Sequence, residues 1–157
     1  MATHVSSPGL LHGRLRHGSV EHAGDALRML APLGRACFVA IFLLSSVGHF
    51  SAKGIGYAAS QGVPMASLLV PLSGVLALVG GLSVLLGFHA RIGAALLVAF
   101  LVPVTVMMHP FWAVPDAAMQ QMQQAMFMKN LAMLGGALLI VYFGAGPVSF
   151  DAHREHR

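Results

Sequence analysis

Charge is what this sequence has least of. Only 9% of its 157 residues are Asp, Glu, Lys or Arg, against 57% hydrophobic residues. A soluble domain carries about a quarter charged residues, so lipid must cover much of this chain. Cysteine is nearly missing too. The single Cys37 lies in an apolar run and excludes an internal disulfide. No nucleotide, serine-hydrolase or zinc motif is present. The glycine-rich stretches fall inside apolar runs, not at the strand-to-helix turns where phosphate loops form. No secretory signal is expected from the N-terminal residues, which are polar and His-rich (His4, His12, His17, His22), with the first long apolar run starting near Leu33. The net charge is +4, but the basic residues sit outside the apolar runs. That is the pattern of membrane topology, and no nucleic-acid partner is expected.

What is present is four apolar runs, at about 33–50, 65–88, 91–109 and 125–143. Each approaches the roughly 20 residues that cross a bilayer as a helix. The expected fold is therefore all-α, a polytopic membrane four-helix bundle over 27–150. A mobile polar arm of 1–26 precedes it and a tail of 151–157 follows. Val20 to Leu30 reads as a short helix on the membrane surface. The connections are a loop carrying Lys53, Tyr57, Gly62 and Pro64, a tight turn at His89 to Arg91, and a polar loop over 110–124. Pro71 and Pro103 fall inside runs and predict kinks rather than breaks.

Lysine and arginine counts orient the bundle. Arg14, Arg16, Arg28, Arg35, Arg91, Arg154 and Arg157 fall on one side, and only Lys53 and Lys129 on the other. The positive-inside rule puts both termini in the cytoplasm of a bacterial inner membrane, with Arg35 and Arg91 snorkelling to the inner surface. Gly74, Gly80, Gly81, Gly87, Ala132 and Gly136 recur at helical spacings and read as notches where helices meet. The stretch from Phe42 to Phe50 resembles that from Phe100 to Phe111, and Gly80 and Gly81 with their following run resemble Gly135 and Gly136. The bundle then reads as two parallel hairpin repeats.

Ionisable groups inside a membrane are costly and are functional candidates by default. His49 ends the first run, His109 ends the third, and Lys129 and Asn130 open the fourth. With Trp112 in the adjoining loop, these five residues are the expected ligand-binding set at the outer mouth. Gln61 and Asp116 lie in the loops beside them. The alternative is that each is an interfacial anchor. Seven methionines fall between Met107 and Met133, with Met119, Met122 and Met126 on one helical face. His109 with Met126 is the metal-ligating option, suited to Cu(I). Flexible apolar packing is the competing reading.

Several stretches together resemble the DoxX family of small bacterial membrane proteins. These are Met126 to Leu131 with Gly135 and Gly136, the closing run from Gly144 to Asp151, Gly62 to Pro64, Gly80 to Arg91, and His109 to Phe111. The resemblance covers about 34–151. It implies a four-helix membrane bundle and a role beside quinone-linked oxidoreductases. Two positions depart from that family's pattern, His49 in place of a lysine and Ala77 in place of a glutamate.

The resemblance points to an accessory subunit of a quinone-linked redox system, with a membrane or periplasmic redox partner, rather than a stand-alone enzyme. The sequence leaves the cofactor open, with quinone the first option and haem or copper behind it. A binding or transport protein for a small molecule or metal is a second reading. A scaffold for a partner, or a homo-oligomer in the lipid bilayer, is a third.

Overall fold

The computed structural model describes residues 26–155, and every element among them is a helix. The expected N-terminal arm, and most of the surface helix expected over 20–30, lie outside the described residues. Six α-helices follow in chain order: α1 Leu30–Ser46, α2 Ala52–Ser60, α3 Ala66–Leu86, α4 Ala90–Met108, α5 Ala117–Phe143 and α6 Phe150–Glu155. Short 3-10 turns at Val47–Phe50 and Phe111–Ala113 extend α1 and precede α5. Four of the helical stretches are long and apolar enough to cross a membrane: Ala26–Phe50, Ala66–Leu86, Ala90–Ala113 and Ala117–Phe143. The start of α1 defines the proximal end of the bundle, and its 3-10 extension the distal end.

The core is built from residues that let helices approach closely. Ala77, Ala94 and Ala137 are wholly buried beside Val39, Phe42, Val84, Leu97, Phe100 and Leu101. Helix α3 packs against α1 and α4, and α4 against α5. The glycines expected as notches are seats for named neighbours. A Cβ at Gly80 would lie 2.7 Å from the carbonyl oxygen of Gly93, so the α3 and α4 backbones nearly touch. Gly81 seats Leu43, and Gly136 seats Phe38, which ties α5 to α1. Gly135 meets nothing within 4 Å and Ala132 is exposed, so neither is a seat within this chain.

Helix α3 ends in a left-handed Gly87 (φ 64°), with Phe88 N–H donating to the Ser83 carbonyl at 3.0 Å. That bond across six residues closes the helix and satisfies a terminal carbonyl. A side chain at Gly87 would also meet the Ser149 Cβ at 2.4 Å. The tight turn that follows lets α4 start at once.

Two connections expected to be loops are helical. Ser51 caps α2, its hydroxyl accepting from Gly54 N–H at 3.0 Å. Ala58 of α2 is buried with Ala66 and Val70 against Ile55, Val63 and Met108. The stretch expected as a polar loop over 110–124 enters α5 at Ala117. Asp116 caps it by accepting from Met119 N–H at 2.8 Å.

The proximal end is stitched by a buried arginine. Arg35 is 6% exposed and donates to the carbonyls of Ala145 and of Val148, the latter at 2.8 Å. It therefore does not snorkel to the surface. Its reach is spent on carbonyls left free beyond the end of α5. Its Nε has no partner among the described residues.

Candidate functional site

The distal end contains a cavity of about 640 Å³. Its floor is α3, through Leu69, Val70, Ser73 and Leu76. One wall is the end of α1, the other is α4, and α2 closes the top with Lys53 and Tyr57. Leu72, Ala99 and Pro103 also line it and are exposed on membrane-crossing helices, so the cavity opens toward the surface that lipid covers. Pro103 has no N–H to give the carbonyl of Ala99, which softens the helix in this wall. Both α3 and α4 nevertheless run through their prolines as single helices.

Two of the five expected ligand residues line this cavity. His49 sits on the 3-10 extension of α1 and packs its Cβ over Gly74 of α3, where a glycine Cβ would lie only 2.7 Å away. Its Nδ1 faces the Ser45 carbonyl at 3.0 Å and therefore carries the proton, and its ring meets Phe100 edge-on at 5.6 Å. His109 caps the end of α4, with Nδ1 2.7 Å from Gln123 Oε1 of α5. With that nitrogen donating to the amide oxygen, the neutral imidazole keeps Nε2 as an acceptor, as it does in His49. The cavity thus has apolar walls and a rim of two imidazoles, a lysine and a phenol. No carboxylate is among its lining residues.

The other three expected residues lie elsewhere. Trp112 is 57% exposed and stacks edge-on with Phe111 and Phe127 at 5.2 and 5.9 Å, a small aromatic cluster between α4 and α5. Lys129 and Asn130 are not in the first turns of their helix, because α5 begins at Ala117. With His109 level with Gln123, a rise of about 1.5 Å per residue puts them about 9–11 Å further into the bundle. Lys129 is exposed and bends back along the helix, its Nζ 3.5 Å from Met126 Sδ. Asn130 is 4% exposed. The expectation that four chain segments bring their polar groups to one depth is thus corrected to two histidines joined by α2.

Nothing brings Met126 to His109 as a pair, since each has a different partner. Among the described residues no group of three His, Cys, Asp or Glu could hold a metal ion. Lys53 and Tyr57 were readable as polar residues between runs. Only the folding of that segment as α2 places them on the cavity.

Comparison with known proteins corrects the family reading. The family model that matches is that of the SURF4 family, over residues 63–156. A Surfeit locus protein 4 homolog of Drosophila melanogaster is 32% identical over 73 residues, 46% of this chain and 27% of that protein. Inner membrane protein YqjF of Escherichia coli (strain K12) is 34% identical over 102 residues, 61% of this chain and 72% of that protein. The chain thus spans about a quarter of the length of the first relative. No solved structure matches it. The resemblance to the DoxX family is overturned by these matches. With it falls the accessory role in a quinone-linked redox system, which rested on that resemblance alone. The stretches that suggested it are short apolar and glycine-rich motifs that recur wherever helices pack in lipid.

Proposed function

The chain belongs to the SURF4 family, and from that premise and the distal cavity we propose that it is an inner-membrane protein that takes up a single-chain amphiphile from the bilayer. The observation that carries this reading is the cavity itself, about 640 Å³ of mostly apolar space lined by two imidazoles, a lysine and a phenol. Ligand pockets commonly hold 300–1,000 Å³ and combine apolar walls with a few convergent polar groups. An alkyl chain would lie along Leu69, Leu72, Leu76 and Val104. Its polar end would reach His49, His109, Lys53 and Tyr57.

The membrane and its orientation belong to the same proposal. The name of the Escherichia coli relative supports an inner-membrane location. The excess of arginine at the proximal end supports cytoplasmic termini, which would put the cavity in the outer leaflet.

The test is labelling with a photoreactive single-chain fatty acid in purified membranes. Labelled peptides should map to α3 and α4 near the cavity, and Ser73→Trp, which fills the floor, should remove most of the label. Undiminished labelling of the filled variant, with its melting temperature preserved, would defeat the reading.

A further inference from the structure

The opposite end of the bundle carries a second groove, independent of the distal cavity. It has a volume of about 660 Å³ and lies between the start of α4, the end of α5 and α6. Its lining mixes two chemistries, basic in Arg91, Arg154 and His89 and apolar in Ile92 and Phe143. Ile92 and Phe143 are both more than half exposed on membrane-crossing helices, beside the exposed Tyr142. An amphipathic groove at the water boundary of a bundle has the shape of a lipid, with charge above and hydrocarbon below.

The electrostatics fix the sign of the headgroup. Asp151 is the one carboxylate of the groove among the described residues, and both of its oxygens are engaged. Oδ1 accepts from His89 N–H at 2.8 Å and Oδ2 from Ala90 N–H at 2.9 Å. That cap also occupies the N-terminus of α4, so the helix end is no rival site. The Arg91 side chain makes no hydrogen bond or ion pair among the described residues, and its guanidinium lies over Gly144, where a Cβ would stand 3.3 Å from Nε. Arg154 rests on His89 Nε2 at 3.1 Å and over the Phe88 ring at 5.8 Å. A neutral imidazole that accepts at Nε2 carries its proton on Nδ1. Neither guanidinium forms an ion pair with a carboxylate among the described residues, both line the groove, and arginine pairs with phosphate through two parallel N–H bonds.

We propose that this proximal groove binds the phosphate headgroup of an anionic phospholipid, through Arg91 and Arg154, with its acyl chains against Ile92 and Phe143. Basic pockets between membrane helices are where such headgroups bind. The groove commits to a lipid rather than free phosphate because half of its wall is apolar and faces the bilayer.

The experiment is native mass spectrometry of the full chain, released from detergent with phosphatidylglycerol or phosphatidylcholine added. The wild type should retain phosphatidylglycerol in preference, and Arg91→Gln and Arg154→Gln should each weaken retention roughly fivefold, the size expected for one arginine near an anionic surface. Arg154→Lys should keep most of the preference. Equal retention of both lipids by the wild type, or undiminished retention by the double variant, would overturn the proposal. So would displacement of the lipid by millimolar inorganic phosphate, which would mark a free-anion site. A double variant that melts with the wild type but has lost the lipid supports it. If that variant melts early, the Arg154→Lys comparison decides.

Discussion

Asp151 caps a helix from 62 residues further along the chain, its Oδ1 accepting the His89 N–H at 2.8 Å. Its own N–H donates to the Gly87 carbonyl at 2.8 Å, so the two segments hold each other reciprocally. His89 takes a left-handed conformation (φ 49°), uncommon for a residue with a side chain, and this aims its N–H and that of Ala90 at one acceptor. Asp151→Ala should therefore cost about 1–2 kcal/mol. Asp151→Asn, which keeps one acceptor, should cost less. Thermal unfolding in detergent measures both, and equal melting temperatures for wild type and alanine variant would count against the cap.

The crossing of α3 and α4 at Gly80 and Gly93 predicts a steep contrast among glycines. Gly80→Ala drives a Cβ to 2.7 Å from a backbone oxygen that cannot swing away. The helices must separate, and losses of about 1–3 kcal/mol follow from overpacking of this kind. Gly135→Ala meets nothing within 4 Å and should be neutral or gain up to about 1 kcal/mol from helix propensity. Detergent resistance of the two variants on unfolding gels separates them.

The parts of the fold that depend on hydrophobicity were readable, and those that depend on caps were not. The four long helices announced themselves because lipid selects for unbroken apolar length. The start of α5 was hidden by Gln120, Gln121, Gln123 and Gln124, which look like loop beside an apolar run. Glutamine is a good helix former, and Asp116 three residues before Met119 is a capping signal that hydropathy ignores. Missing that start put Lys129 and Asn130 at the mouth when they belong deeper. Helix α2 was hidden by Gly54 and Gly56, which lower its propensity. Packing of Ala58 against Ala66 and Val70 supplies what propensity lacks. His49 and His109 line one cavity because each ends a long helix, and helix ends at one face of a bundle meet.

Arg35 is a two-pronged clasp, and its replacement should loosen the segment after α5 more than the helices themselves. Arg35→Leu leaves the Ala145 and Val148 carbonyls without a partner, at a cost of about 1–3 kcal/mol for each buried group left unsatisfied. Arg35→Lys cannot reach both with a fork and should recover only part. Limited proteolysis is the measurement. Cleavage after Gly144 should rise strongly in the leucine variant, while sites in α3 and α4 remain protected.

The proposed orientation is open to a labelling test. In a Cys37→Ser background, Gln61→Cys at the distal end should react with a membrane-impermeant maleimide in intact cells. His153→Cys should react only after permeabilisation. The reverse pattern would invert the bundle and move the distal cavity to the inner leaflet.

Arg35 also has a history within a single round of synthesis. Its acceptors lie 110 and 113 residues downstream, so neither exists when α1 leaves the ribosome. During that interval the guanidinium has neither of its two carbonyl partners, and a charge so placed favours water over the apolar phase. When the segment after α5 arrives, the same group is withdrawn into the fold. The last fastening of α1 is thus made by a residue near its own start, and it closes only when the end of the chain has been supplied.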